Sequence, residues 1–105
     1  MTNKIKFFEA DINDRVKVRD AIKGVDAVVH FAAESHVDRS IFDPGRYWET
    51  NVHGTLTLLE EAQKLRVPRF HHISTDEVYG ELPLDSGEKF TESTPYAPRT
   101  DNLYA

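Results

Sequence analysis

Apolar and polar positions alternate along this chain with a rhythm that changes from strand to helix and back. Ile5, Lys6, Phe7, Phe8, Glu9 and Ala10 have the β-branched and aromatic content of a strand, which ends at Asp11 and Ile12. Asn13 or Asp14 then offers an N-cap. Val18, Ala21, Ile22 and Val25 recur on one face of a helix that runs to about Lys23. Gly24 suits the left-handed position just past its end. Residues 26–31 predict a second strand. Its core of Ala27, Val28 and Val29 is a continuous apolar run, as in a strand covered on both faces.

The pattern lengthens in the middle of the chain. Pro44 and Gly45 mark a turn, and a helix is expected from near Arg46 to about Arg66. Trp48, Val52, Leu56, Leu59 and Ala62 form its apolar stripe, widened by Leu58 and Leu65. Glu60 and Lys64 have the spacing of an outward-facing ion pair. Gly54 costs about 1 kcal/mol inside a helix, so close packing against a sheet or a ligand is expected there. Thr50 and Asn51, one turn earlier, either reach a ligand or face solvent. Pro68 stops the helix, and residues 69–73 predict a third strand. Beyond Gly80 the rhythm fades. Pro83, Gly87, Pro95 and Pro98 break the remainder, so residues 81–103 read largely as loop, with Phe90, Tyr96, Leu103 and Tyr104 as candidate anchors. Strands alternating with helices predict an α/β fold, a parallel sheet with right-handed crossovers in one domain over residues 1–105.

Composition narrows the function classes. The chain has 105 residues, 39% of them hydrophobic and 30% charged, which fits a single globular domain. A net charge of −5 argues against a nucleic-acid partner. No apolar run approaches the roughly 18 residues of a membrane span, and the N-terminus has no apolar signal region. The absence of cysteine excludes disulfides and thiolate metal sites and fits a reducing cytoplasm.

The densest candidate chemistry is Ser74, Thr75, Asp76, Glu77, Val78, Tyr79 and Gly80, placed where the third strand ends. Ligands of parallel α/β sheets bind outside the carboxyl ends of the strands. Two neighbouring carboxylates repel, and burial disfavours both charges. One can therefore stay protonated while the other ionises, giving a general acid and a general base. A solvated acidic turn is the alternative. Ala32, Ala33, Glu34, Ser35 and His36 follow the second strand, where small residues would let a flat ligand approach the backbone; an ordinary tight connection is again the alternative. His30, His36, His53, His71 and His72 match no metal-ligand spacing, and no metal is expected. Neither GxGxxG nor GxxxxGK[ST] occurs in the sequence.

Three runs carry a family resemblance: residues 30–40 from His30 to Ser40, residues 49–55 from Glu49 to Thr55, and residues 70–80 from Phe70 to Gly80. Together they resemble the dTDP-glucose 4,6-dehydratases of the NAD-dependent epimerase/dehydratase family, within the extended short-chain dehydrogenases/reductases. Related 4-epimerases usually carry serine and small residues where Asp76 and Glu77 stand. The resemblance implies a Rossmann fold, NAD as cofactor, and a nucleotide sugar, dTDP-glucose, converted to dTDP-4-keto-6-deoxyglucose and water. It implies that Glu77 removes the C5 proton, that Asp76 protonates the C6 hydroxyl, and that Thr75 binds the sugar at O4. Tyr104 is implied as the tyrosine that takes the O4 proton. Asp11 and Ile12 would contact adenine. Phe31, Ala32, Ala33, Glu34 and Ser35 would lie under the dinucleotide, with Ser35 also touching the substrate and Thr50 reaching the cofactor from its helix.

Set beside that family, the chain is expected to be a truncated central segment. The family's first two strands, its glycine loop and its C-terminal domain have no counterpart, and the lysine four residues after Tyr104 would fall beyond Ala105. The expected outcome is a partial Rossmann fold with a rearranged three-stranded, mostly parallel sheet, self-association into a homo-oligomer, and weak or no activity alone. Two alternatives remain open: another NAD-dependent nucleotide-sugar dehydratase or epimerase, and a non-catalytic remnant or assembly module.

Overall fold

The computed structural model describes residues 4–35, 42–80 and 87–98. Helix α1 spans Arg15–Ile22. It starts where expected because the Asp14 carboxylate accepts a hydrogen bond from the Lys17 N–H at 3.2 Å, satisfying one of the free donors of the first turn. It ends at Gly24, whose φ of 78° is open to glycine at little cost. Strand β1 follows at Ala27–His30 and pairs in parallel with β2 at Arg69–His72, in the register Ala27 to Arg69 and His30 to His72. The Ile73 N–H continues this ladder to the His30 carbonyl at 3.1 Å.

Between the strands runs one continuous helical stretch in three parts. Helix α2 covers Pro44–Tyr47, a π-helical segment covers Trp48–Gly54, and α3 covers Thr55–Lys64. Within the π-helical segment the Trp48 and His53 rings stack at 5.4 Å. Gly54 has the close contact expected of it, but the neighbour is Ile12: a Cβ on Gly54 would overlap the tip of the Ile12 side chain.

Two expectations about the strands are corrected by the fold. The anticipated strand at residues 5–10 has no sheet partner, and the described sheet has two strands instead of three. The reason is topological: in the doubly wound order 3-2-1-4-5-6, two further strands separate the third from the fourth. Ile5 and Phe7 are exposed, while Phe8 and Ala10 border a small apolar hollow against α1 and Leu58. Likewise β1 is covered on one face only. Val28 and the buried His30 point toward the helical layer, whereas Ala27 and Val29 are exposed.

A third correction concerns the long helix. Trp48, Val52, Leu56 and Leu59, from the expected stripe, are between 44% and 49% exposed. Leu58 and Ala62 of that expected face are buried, and they are joined by Gly54, Thr57 and Glu61. Thr57 and Glu61 are completely buried against partners from α1 and the turn before it. The Glu61 carboxylate accepts from Arg19 Nε at 2.8 Å, from an Arg15 guanidinium nitrogen at 3.2 Å and from Lys64 Nζ at 3.2 Å. The Arg19 hydrogen bond, with Lys64 adding to it, holds its pKa down to about 2 against the opposing effect of burial. Glu60 pairs with Arg15 at 3.3 Å, not with Lys64 as its spacing implied.

Candidate active site

The parallel pairing of β1 and β2 brings their carboxyl ends side by side, so the segments leaving them share one edge of the sheet. From β2 the chain passes through Ile73, Ser74 and Thr75 into a short 3-10 helix at Asp76–Tyr79. Thr75 is still extended, with φ −136° and ψ 160°, and the turn begins at the first acid. Successive residues of a 3-10 helix are about 120° apart, so Asp76 and Glu77 diverge instead of stacking. Asp76 is exposed and Glu77 half-buried.

A cleft of about 770 Å³ opens at this turn, lined by His72, Thr75, Asp76, Tyr79, Tyr96 and Pro98, among others. Its volume lies in the range of small-molecule sites, about 300–1,000 Å³. The far wall comes from residues 87–98, which return to the turn. The Ala97 N–H donates to the Val78 carbonyl at 2.8 Å, and the Tyr79 ring packs on Phe90 at 5.1 Å and on Tyr96 at 5.7 Å. Gly80, at φ 86°, admits this return because a Cβ there would overlap the Ala97 carbonyl. Phe90 and Tyr96 thus anchor the loop as anticipated; Leu103 and Tyr104 lie outside the described residues.

The segment leaving β1 is braced by the helix above it. Asn51 Oδ1 accepts from the Glu34 N–H at 2.8 Å, and Asn51 Nδ2 donates to the Glu34 carbonyl at 3.0 Å. The amide thereby holds the backbone of residues 31–35 as a neighbouring strand would. Arg46 Nε adds a bond to the Glu34 carboxylate at 3.1 Å. Phe31, Ala32, Ala33 and Ser35 are exposed, and Thr50 is half-buried beside the clamp. Under the same edge, His30 Nε2 lies 2.9 Å from Thr55 Oγ1. Burial, reinforced by the nearby His72, pushes the His30 pKa below its usual 6.5. Asp11 and Ile12 sit in the turn before α1, with Asp11 exposed. No group of three or more histidine and acidic side chains among the described residues could hold a metal ion.

Of the anticipated residues, Thr75 and Asp76 therefore share one cleft with Glu77 beside them, and residues 31–35 leave the adjacent strand. Tyr79 belongs to the stretch singled out in the sequence, whereas His72, Tyr96 and Pro98 were missed as cleft-lining groups. For His72 the signal was available, since it ends the strand that carries the acids.

The family model described as GDP-mannose 4,6 dehydratase matches residues 1–105. The chain belongs to this family. It is 48% identical over 98 residues to a dTDP-glucose 4,6-dehydratase of Mycolicibacterium smegmatis, covering 93% of this chain and 29% of that protein. A dTDP-glucose 4,6-dehydratase of Mycobacterium tuberculosis strain H37Rv is 53% identical over 94 residues, covering 90% of this chain and 28% of that protein. Among solved structures, DesIV, a dTDP-glucose 4,6-dehydratase from Streptomyces venezuelae with NAD and TYD bound, superposes with a TM-score of 0.83 at 47% identity. That match covers 94% of this chain and 29% of DesIV. This member of the 4,6-dehydratase family thus spans less than a third of the length of these relatives, and its α/β architecture is that of a partial Rossmann fold.

Proposed function

We propose that this chain is the segment of an NAD-dependent dTDP-glucose 4,6-dehydratase that carries the dehydration acids and one wall of the cofactor site. The observation that carries the reading is the position of Thr75, Asp76 and Glu77. They open a 3-10 turn at the carboxyl end of β2, on a cleft beside the braced segment 31–35. The relatives' names supply the substrate class, a dTDP-linked glucose.

The residues present fit part of a dinucleotide. Ala32 and Ala33 carry only methyl groups, lie exposed past β1, and belong to a backbone that Asn51 holds in place. Asp11 and Ile12 would take the adenine, Phe31 to Ser35 would underlie the dinucleotide, and Thr50 would reach it from the π-helical segment. The sequence has no glycine-rich phosphate loop, so the pyrophosphate side of the cradle is not among these residues. NAD, when bound, would take a hydride from C4 of the sugar and, after water has left, return it to C6, so that no outside oxidant is needed.

The chain's own groups do the rest. The Thr75 hydroxyl binds O4, and Ser35 contacts the sugar from the neighbouring segment. With C4 a ketone, the C5 proton is acidic, and Glu77 removes it. Asp76 gives a proton to the C6 hydroxyl, which leaves as water. The O4 proton is assigned to Tyr104, which lies outside the described residues. With only part of the cofactor wall, the chain alone is expected to turn over weakly or not at all.

An NMR titration of the 105-residue chain tests this reading. NAD⁺ is expected to perturb the amides of residues 11–12 and 31–35, and dTDP-glucose those of 74–77. Competition with a UDP-sugar separates the dTDP enzyme from other nucleotide-sugar dehydratases and epimerases. Silence at millimolar NAD⁺ would sink the enzyme reading in favour of a non-catalytic remnant or assembly module.

A homo-oligomer is part of the proposal. The half-exposed stripe of Trp48, Val52, Leu56 and Leu59, with Val29 and Phe31 exposed at and just past β1, supports it. A monodisperse monomer in light scattering would overturn it. No helix among the described residues is long and apolar enough to cross a membrane. The acidic balance argues against nucleic acid, and the lack of cysteine supports a cytoplasmic setting.

A further inference from the structure

Asn13 has three hydrogen bonds, two of which tie the turn before α1 to the long helix. Its backbone N–H donates to Asp11 Oδ1 at 2.8 Å. Its side-chain Nδ2 donates to the Glu49 carbonyl, in the π-helical segment, at 2.8 Å. Its Oδ1 accepts from the Thr57 hydroxyl at 3.1 Å, and Thr57 is fully buried in α3. Beside this clamp the Ile12 side chain fills the place that a Cβ on Gly54 would occupy. The turn is thus held at two points by a helix whose sequence lies more than thirty residues away.

The same π-helical segment carries Asn51, which holds the Glu34 backbone of residues 31–35. One segment therefore braces both stretches assigned to the dinucleotide, residues 11–12 at one end and residues 31–35 at the other. We propose that Asn13 is a positioning residue for purine selection. It seats the turn on the π-helical segment and commits one Asp11 oxygen to its own N–H, leaving the second for the exocyclic amine of an adenine. Asp11 is exposed, as such a role requires. A hypoxanthine ring, with a carbonyl in place of that amine, presents an acceptor to a carboxylate and is disfavoured. An unseated Asp11 loses this discrimination, because a carboxylate free to rotate loses more entropy on binding.

The inference rests on the proposed cofactor site, and its test separates the two. Calorimetric titration of the chain with NAD⁺ and with nicotinamide hypoxanthine dinucleotide is run on the wild type, Asn13→Ala and Thr57→Val. Circular dichroism checks that each variant is folded. The wild type is expected to prefer NAD⁺. Asn13→Ala keeps the backbone N–H toward Asp11 but removes both side-chain bonds to the long helix, and it is expected to weaken NAD⁺ about tenfold and to leave the hypoxanthine analogue nearly unchanged. Thr57→Val, which keeps shape and removes only the hydroxyl, is expected to move the preference the same way by about threefold. A wild type that prefers NAD⁺ while both variants keep that preference within about twofold overturns the role of Asn13 and leaves the cofactor site standing. A wild type that binds neither dinucleotide overturns both. A variant that loses both ligands equally marks Asn13 as merely structural and also overturns the proposal.

Discussion

The seam between α1 and α3 and the acid-bearing turn at the end of β2 are built on opposite plans. In the seam Val18, Leu58 and Ala62 are buried with Thr57 and Glu61, and the polar members meet side chains from more than forty residues away. In the turn no residue of Asp76–Tyr79 is buried. It is held by backbone bonds from Ile73 to His30 and from Ala97 to Val78, and by the rings around Tyr79. The buried tertiary contacts are concentrated away from the groups assigned to chemistry. The groups assigned to chemistry sit on a scaffold that gains little by burying them, as functional segments drawn from the low-stability end of a fold do.

The contrast is broken most severely at Glu61. Glu61→Ala leaves Arg15, Arg19 and Lys64 facing one another around a cavity, and it is expected to lower the urea midpoint more than any other single substitution in the seam. If Leu58→Ala fell further, apolar contact and not the ion cluster would be the main tie. Leu58→Ala itself is expected to cost about 2–4 kcal/mol by the same measurement.

Acid probes the seam and the sheet edge separately. His30 is held below its usual 6.5 in the fold, so the unfolded chain binds the proton better and stability declines as pH drops below 6.5. Glu61 is held at about 2 against a usual 4.5, so its contribution is intact above 4.5 and is lost as pH falls from there toward 2. Thermal melts across this range should show two successive losses. The lower one should vanish in Glu61→Gln. A melt independent of pH between about 7 and 3 would contradict both assignments.

The smallest effects belong to the acid turn. Tyr79→Leu is expected to cost about 1 kcal/mol by loss of its ring contacts. Asp76→Asn and Glu77→Gln should each change the unfolding free energy from urea titration by less than about 0.5 kcal/mol. A large loss from either acid would mean that the turn, like the seam, is held by its charged side chains.

What the sequence made legible follows the same division. Local signals were sound: Asp14 caps α1, Gly24 ends it, and the short apolar runs of β1 and β2 pair in parallel. The acid run at a strand end was likewise visible, because its position depends only on β2. Of the buried face of the long helix, only Leu58 and Ala62 were. Its register is decided by Gly54, Thr57 and Glu61, which look polar or small until Ile12, Asn13, Arg15 and Arg19 are brought against them. Residues 5–10 have a strand's composition but no edge to pair with, a fact of topology that periodicity does not carry. Tyr96 joined the cleft only through the return of residues 87–98 across Gly80.

The bond between His30 and Thr55 has a consequence for magnetic resonance. Thr55 Oγ1 lies 2.8 Å from the Asn51 carbonyl and gives its single proton there. Toward His30 it can therefore only accept, so the imidazole must present a hydrogen on Nε2. One neutral tautomer is selected and the other excluded. The ring's two nitrogens should then resonate far apart and stay so, a built-in signal at the tip of β1 that reports directly on the integrity of the sheet edge beneath the cleft.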